Sequence, residues 1–152
     1  MVIRDIKIIT VGEESYWEEI SLLFVNSTNG DSNFWIAVYS ENNINPNIVC
    51  HVNRDRLVIG FNQKLAIIDM NIPKILIEKE LYGNFQFAKY TENMLLVLSE
   101  IGIFILDNEN HEIFNQPTDV IESFMFSDNL LICKTHSGTH EVDISAVVRD
   151  HI

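Results

Sequence analysis

The chain has 152 residues, 47% of them hydrophobic and 21% charged, with six Gly and three Pro, a profile that excludes disordered and fibrous classes and fits one compact soluble domain spanning residues 1–152. At this length folding buries roughly two-thirds of the unfolded chain's surface, so neither a disulfide nor a structural metal is required of the two cysteines, Cys50 and Cys133. Ten Lys and Arg against 22 Asp and Glu give a net charge of −12, which repels phosphate backbones and removes nucleic acid from the expected ligands.

The N-terminal apolar run is interrupted by Arg4, Asp5 and Lys7 and no small-residue cleavage site follows. No apolar stretch approaches the about 18 residues of a membrane span. A cytoplasmic protein without membrane association is expected. The first 47 residues read as an irregular sheet of three strands, Ile6 to Val11, Glu19 to Asn26 and Phe34 to Ser40, with Asn29-Gly30-Asp31 as the turn between the last two. A helix across Glu13 to Leu23 competes with the second strand, because Trp17, Ile20 and Phe24 fall on one helical face.

Residues 48–148 carry an internal repeat. Asp55 to Asp69 (DRLVIGFNQKLAIID), Asn93 to Asp107 (NMLLVLSEIGIFILD) and Asn129 to Asp143 (NLLICKTHSGTHEVD) align without gaps, each with Leu at its third position and Asp at its end. Two short Ile/Val/Leu-rich runs straddle Ser99-Glu100 or Ser137-Gly138, the pattern of strand, tight turn, strand. Phe85-x-Phe87 and Phe124-x-Phe126 precede the second and third units as period-2 alternations. Ile75 to Glu80 and Glu112 to Phe114 follow the first and second as a shorter fourth strand. The closing Asp69, Asp107 and Asp143 are expected to accept hydrogen bonds from backbone N–H groups in the turns that follow.

Four antiparallel strands recurring at close to 40 residues resemble the blade of a β-propeller, without the Trp-Asp and Gly-His signatures of WD repeats. A closed ring needs about four blades of about 40 to 45 residues. Three units and an irregular sheet therefore predict an all-β chain of antiparallel four-stranded blade-like repeats, arranged as an open half-propeller or a distorted sandwich. Exposed sheet edges invite pairing, so a second copy or a partner protein is expected to cover them.

The acids are unevenly spread. No Lys or Arg occurs from Ile8 to Asn53 or from Tyr90 to Cys133, whereas six bases face four acids between Arg54 and Lys89. Long acidic stretches create fields that steer cationic partners. The best contact candidates are Glu109, Glu112, Asp119 and Glu122, followed by the acidic N-terminal loop with Glu14, Trp17 and Glu18, where an aromatic beside carboxylates has the makeup of a binding hot spot.

Metal and catalytic patterns are thin. Cys133-x2-His136-x3-His140 has soft ligands but no fourth position nearby, and Cys133 occupies the repeat position of Ile59 and Val97, so it reads as a small core residue. Ser137 beside His136 and His140 lacks a nucleophile elbow and reads as a turn serine. The expectation is a protein without catalytic residues, metal or cofactor.

In size, acidity and lack of catalytic motifs the chain resembles the immunity proteins of bacterial contact-dependent growth inhibition systems. That resemblance implies a cognate basic toxin domain, in the favoured case a ribonuclease, whose active site is covered by an acidic surface. The alternative is a non-catalytic β-repeat scaffold or regulatory module that forms a homodimer through open sheet edges.

Overall fold

The computed structural model describes residues 7–12, 19–26, 33–40, 46–51, 55–91 and 93–151. The described residues are nearly all β, with one short helix among them. The chain divides into two compact units, Met1–Glu80 and Leu81–Ile152, and the division falls between two of the sequence repeats.

The first unit holds two sheets. β1 (Ile8–Val11), β2 (Glu19–Asn26) and β3 (Asn33–Ser40) form sheet 1 in the order β1-β3-β2. The strand reading therefore prevails over the helix for residues 19–26. Leu23 and Val25 turn inward on this strand while Ile20, Leu22 and Phe24 lie outward, an alternation that only a period of two satisfies. Residues 13–18 and the Asn29-Gly30-Asp31 turn lie outside the described residues. β3 pairs antiparallel with β2 but parallel with β1, an exception to the otherwise antiparallel pattern. Sheet 2 is the first blade-like repeat, β4 (Asn47–His51), β5 (Arg56–Phe61), β6 (Lys64–Asp69) and β7 (Lys74–Glu80), in chain order.

The second unit repeats that plan. Sheet 3 comprises β8 (Phe85–Tyr90), β9 (Met94–Ser99), β10 (Gly102–Asp107) and β11 (Glu112–Pro117). Sheet 4 has only three strands, β12 (Ile121–Ser127), β13 (Leu130–Thr135) and β14 (Gly138–Asp143). Where the earlier repeats continue into a fourth strand, the chain here forms α1 (Ile144–Arg149). Asp143 has extended backbone angles and its side chain accepts from the Ala146 amide at 3.2 Å, capping the helix. The third unit is thus a three-stranded blade with a helical end, which the sequence repeat did not reveal.

The three aligned segments are β-hairpins with two-residue loops, Asn62-Gln63, Glu100-Ile101 and His136-Ser137. The last two loops sit one residue from the expected Ser99-Glu100 and Ser137-Gly138, for a local reason. Ser99 is buried and its hydroxyl donates to the Tyr82 carbonyl, so it remains in the strand opposite Gly102. Gly138 lies opposite Thr135 with φ +145, a conformation L side chains rarely adopt.

The repeats also share their irregularities. The pairing of the third strand with the fourth shifts register between Ile67 and Ile68 in sheet 2 and between Ile105 and Leu106 in sheet 3, equivalent positions of the repeat. The first strand skips one residue at Gln86 in sheet 3 and at Glu122 in sheet 4, again equivalent. Bulges increase local twist, and their recurrence gives successive sheets a common curvature. The strand pairing makes Phe85 equivalent to Ile121 rather than to Phe124, since Phe85 faces Ser99 and Ile121 faces Thr135.

Packing is sheet on sheet in both units. Ile9, Val11, Phe34, Ile36 and Val38 of sheet 1 meet Leu57, Ile59, Phe61, Ala66 and Ile68 of sheet 2 in one core. In the other, Leu96, Leu98, Ile103 and Ile105 pack with Leu131, Cys133, Val142 and Ile144. Each fully buried aliphatic or Phe side chain contributes about 1.5–3 kcal/mol. β9 and β10 are buried on both faces, as the burial of Leu95, Val97 and Phe104 alongside Leu96, Leu98 and Ile103 shows. Their near-continuous apolar sequence follows from this, because neither face can be polar.

Candidate protein-binding surface

Three aspartates close the hairpins, and each works on the backbone. Asp69 Oδ1 accepts from the amides of Asn71 at 2.9 Å and Ile72 at 3.1 Å, while its Oδ2 meets Arg56 Nη1 at 2.8 Å. Asp107 Oδ1 accepts from the amides of Glu109 and His111, both at 2.8 Å. Asp143 caps α1. Burial opposes ionisation of Asp69, but the Ile72 and Asn71 amides and the Arg56 guanidinium together outweigh it and hold the carboxyl below the ordinary carboxylate range. At Asp107 the same opposition of partial burial by the His111 and Glu109 amides, with the His111 side chain added, gives the same direction. These recurring carboxylates fix the strand-to-loop exits, so they are committed to structure rather than offered to a partner.

The second unit contains eleven acids and three bases, a net charge of −8, against eleven and seven, or −4, in the first. Four of these acids are the sequence candidates. Glu109 is 82% exposed in the loop ahead of β11, and its carboxylate lies 3.8 Å from His111 Nδ1. Glu112, on the exposed side of β11, accepts from Asn115 Nδ2 at 2.8 Å. Asp119 accepts from the Val120 amide at 2.8 Å beyond the far end of β11. Glu122, the bulged residue of β12, pairs with His136 and remains half exposed. Five residue steps along β11 amount to about 17 Å, so Glu109 and Glu112, before and at the start of β11, are separated by that strand from Asp119, which follows its end, and from Glu122 on β12. The four acids follow the chain on both sides of β11, each with its own local partner. Glu14, Trp17 and Glu18 lie outside the described residues.

The Glu109 end borders an open groove of about 330 Å³ lined by Asp107, Glu109, Ile113, Val148 and His151. Sequence reading missed this groove because α1 forms one wall. The one available signal was Asp143 followed by Ile144, Val147 and Val148, a cap preceding residues that share one helical face.

The remaining sequence candidates fall into place locally. Cys133 is fully buried, faces His140 across the hairpin, and its thiol is pushed up by burial. His140 instead contacts Gln116 Nε2 through Nδ1 at 3.3 Å, and His136 turns to Glu122. Among the described residues no three His, Cys, Asp or Glu side chains gather in an arrangement that could hold a metal ion. The Ser137 hydroxyl lies 3.3 Å from that of Thr135 in the hairpin turn. Of the aromatics, Phe34 is core, whereas Phe124 is 38% exposed with its ring 4.9 Å from that of Phe87. No described helix is long and apolar enough to cross a membrane.

No family model matches the chain, and no curated protein matches it. Among solved structures, BamB from Moraxella catarrhalis is similar with a TM-score of 0.54 and 19% identity, over 83% of this chain and 45% of that one. BamB is a β-propeller protein. The fold of this chain is β-propeller-like. Hsv2 from Kluyveromyces lactis aligns with a TM-score of 0.38 and 12% identity, over 66% of this chain and 34% of that one. The chain spans less than half the length of the BamB chain it matches. The repeating hairpins, the shared bulges and this similarity agree on blade-like antiparallel sheets.

Proposed function

We propose that this chain is a non-catalytic, cytoplasmic protein-binding module that acts as an immunity protein, binding a cognate basic toxin domain and neutralising it by covering its active site. A ribonuclease is the favoured toxin class. The observation that carries the reading is the charge of −8 on the second unit, with exposed carboxylates at both ends of β11. A nuclease presents a cationic cleft to phosphates, and carboxylates compete for it through charge-assisted hydrogen bonds to Lys, Arg and His. Exposed carboxylates on both sides of a strand about 17 Å long suit an elongated cleft, in which carboxylates stand where phosphates would lie.

The test compares the wild-type protein with a variant carrying Glu109→Gln, Glu112→Gln, Asp119→Asn and Glu122→Gln. Tagged wild-type protein should retain a basic, nuclease-like domain from its native host at 1:1 stoichiometry and abolish that domain's cleavage of RNA. The neutralised variant should bind at least tenfold more weakly and leave cleavage active. Equal binding and inhibition by the two proteins would refute the reading.

A further inference from the structure

In sheets 2 and 3 the third strand is an interior strand. β6 and β10 each carry an antiparallel fourth strand, β7 and β11, and both are buried along most of their length. β14 is the equivalent strand of sheet 4, and among the described residues no strand pairs with its outer edge. Gly138, Thr139, Glu141 and Asp143 are exposed there. In place of a fourth strand the chain enters α1, which lies against β11.

The backbone of β14 specifies what fits this edge. In an antiparallel strand successive residues direct their N–H and C=O groups to opposite sides. In β10, Gly102 closes the hairpin on Ser99, so alternate residues from Ile103 bond towards β11, and the Asp107 amide donates to the His111 carbonyl at 2.8 Å. Thr139, Glu141 and Asp143 hold the same places in β14, because Gly138 closes on Thr135 and the Ile144 amide, of the other parity, donates inward to the Asn129 carbonyl. The amides of Thr139, Glu141 and Asp143 and the carbonyls of Thr139 and Glu141 therefore point outward, in the row that β10 offers to β11. An extended chain satisfies such a row.

Side chains select the chemistry of that chain. Glu141 is exposed on one face of β14, whereas Val142 on the other is buried in the second core. A residue opposite Glu141 on an added strand would stand about 5 Å away, where an opposite charge stabilises the pair. β14 holds two acids and no Lys or Arg, so a second copy offering the same strand would bring acids to acids.

We infer that the outer edge of β14 receives an extended segment of a partner protein as the antiparallel fourth strand of sheet 4, with Lys or Arg opposite Glu141 and apolar residues at the alternate positions on the side of Val142. This contact uses backbone groups and Glu141, and none of Glu109, Glu112, Asp119 or Glu122, so it stands independently of the acidic reading of β11.

The experiment follows amide exchange by NMR in the whole protein, with a synthetic nonapeptide of alternating Val and Lys as the probe and its Val and Glu counterpart as the control. In the free protein the Thr139 and Glu141 amides should exchange at least tenfold faster than those of His140 and Val142, which bond to β13. Millimolar Val-Lys peptide should slow them at least tenfold, and the Val-Glu peptide should not. Thr139→Pro removes an outward donor and no bond to β13, so the sheet keeps its ladder, and circular dichroism checks its fold. That variant should bind the Val-Lys peptide at least tenfold more weakly, and Glu141→Lys should reverse the preference between the peptides. The variant neutralised at Glu109, Glu112, Asp119 and Glu122 should bind within threefold of wild type. Thr139 and Glu141 amides already protected in the free protein would overturn the inference, since the edge would then be filled. So would the absence of slowing by the Val-Lys peptide, undiminished binding by Thr139→Pro, or a tenfold loss in the neutralised variant.

Discussion

Asp69 tests whether the repeated aspartates hold the blade-like units together. Its side chain is 18% exposed, accepts from two backbone amides and pairs with Arg56 at 2.8 Å. A hydrogen bond to a charged group contributes about 1.5–3 kcal/mol, and the remaining exposure places these at the low end, so Asp69→Ala should cost about 2–4 kcal/mol. Asp69→Asn keeps an oxygen for the amides but loses the charge facing Arg56, and should cost about 1 kcal/mol. With a urea m-value of about 2 kcal/mol/M, the Ala variant's midpoint falls by about 1–2 M. The folded carboxyl titrates below its unfolded value of about 3.9, so its contribution is complete above that pH and is lost as pH falls through the lower folded value. The gap between wild type and Asp69→Ala should therefore narrow progressively below about pH 4. Urea unfolding at pH 7 and at pH 3 measures both effects. A variant within about 0.5 kcal/mol of wild type at pH 7, or a gap that does not change with pH, would refute the reasoning.

Further outcomes follow from backbone geometry and burial. Gly12 has φ +94, and an added Cβ would lie 2.6 Å from the Tyr39 carbonyl, whereas Gly138 has φ +145 with open space around it. Gly12→Ala should therefore destabilise by about 2–4 kcal/mol and Gly138→Ala by about 1 kcal/mol, and equal losses in denaturant titrations would contradict this. Leu96→Ala, at a fully buried site in the second core, should cost about 2–5 kcal/mol, and a loss under 1 kcal/mol by the same method would count against that packing. Cys133, buried with its thiol pKa raised, should resist alkylation in the native protein and react fully in denaturant, as peptide mass spectrometry reports. Rapid native modification would place it outside the core.

Much of the fold was legible because its unit is local. Leu57, Leu95 and Leu131 sit at one position of three hairpins, and the Asp that closes each hairpin bonds to the backbone just beyond it. These features depend on neighbours within a few residues, so a sequence period exposes them. The parallel pairing of β1 with β3 is different: it joins Ile8 to Trp35 across 27 positions, and no local pattern encodes it. Phe85-x-Phe87 and Phe124-x-Phe126 look alike as alternations, yet they occupy different positions of their strands, since Phe85 lies opposite Ser99 and Ile121 opposite Thr135. The candidate acids were legible as residues but not as a surface. Glu109 and Glu122 were grouped by proximity in sequence, whereas β11 between them is extended and holds them apart. The open face of sheet 1 was hidden for another reason. Ile20, Leu22 and Phe24 are as apolar as core residues, and only the pairing shows which face is already filled.

Binding of a basic protein through the acidic second unit is the proposed function, and its salt dependence is the decisive measurement. With the partner domain purified, its dissociation constant should be measured by calorimetry from 50 to 500 mM salt for wild-type protein and for the variant neutralised at Glu109, Glu112, Asp119 and Glu122. The affinity should fall steeply with salt for wild type and more shallowly for the variant. An affinity independent of salt, or identical slopes for the two proteins, would contradict it.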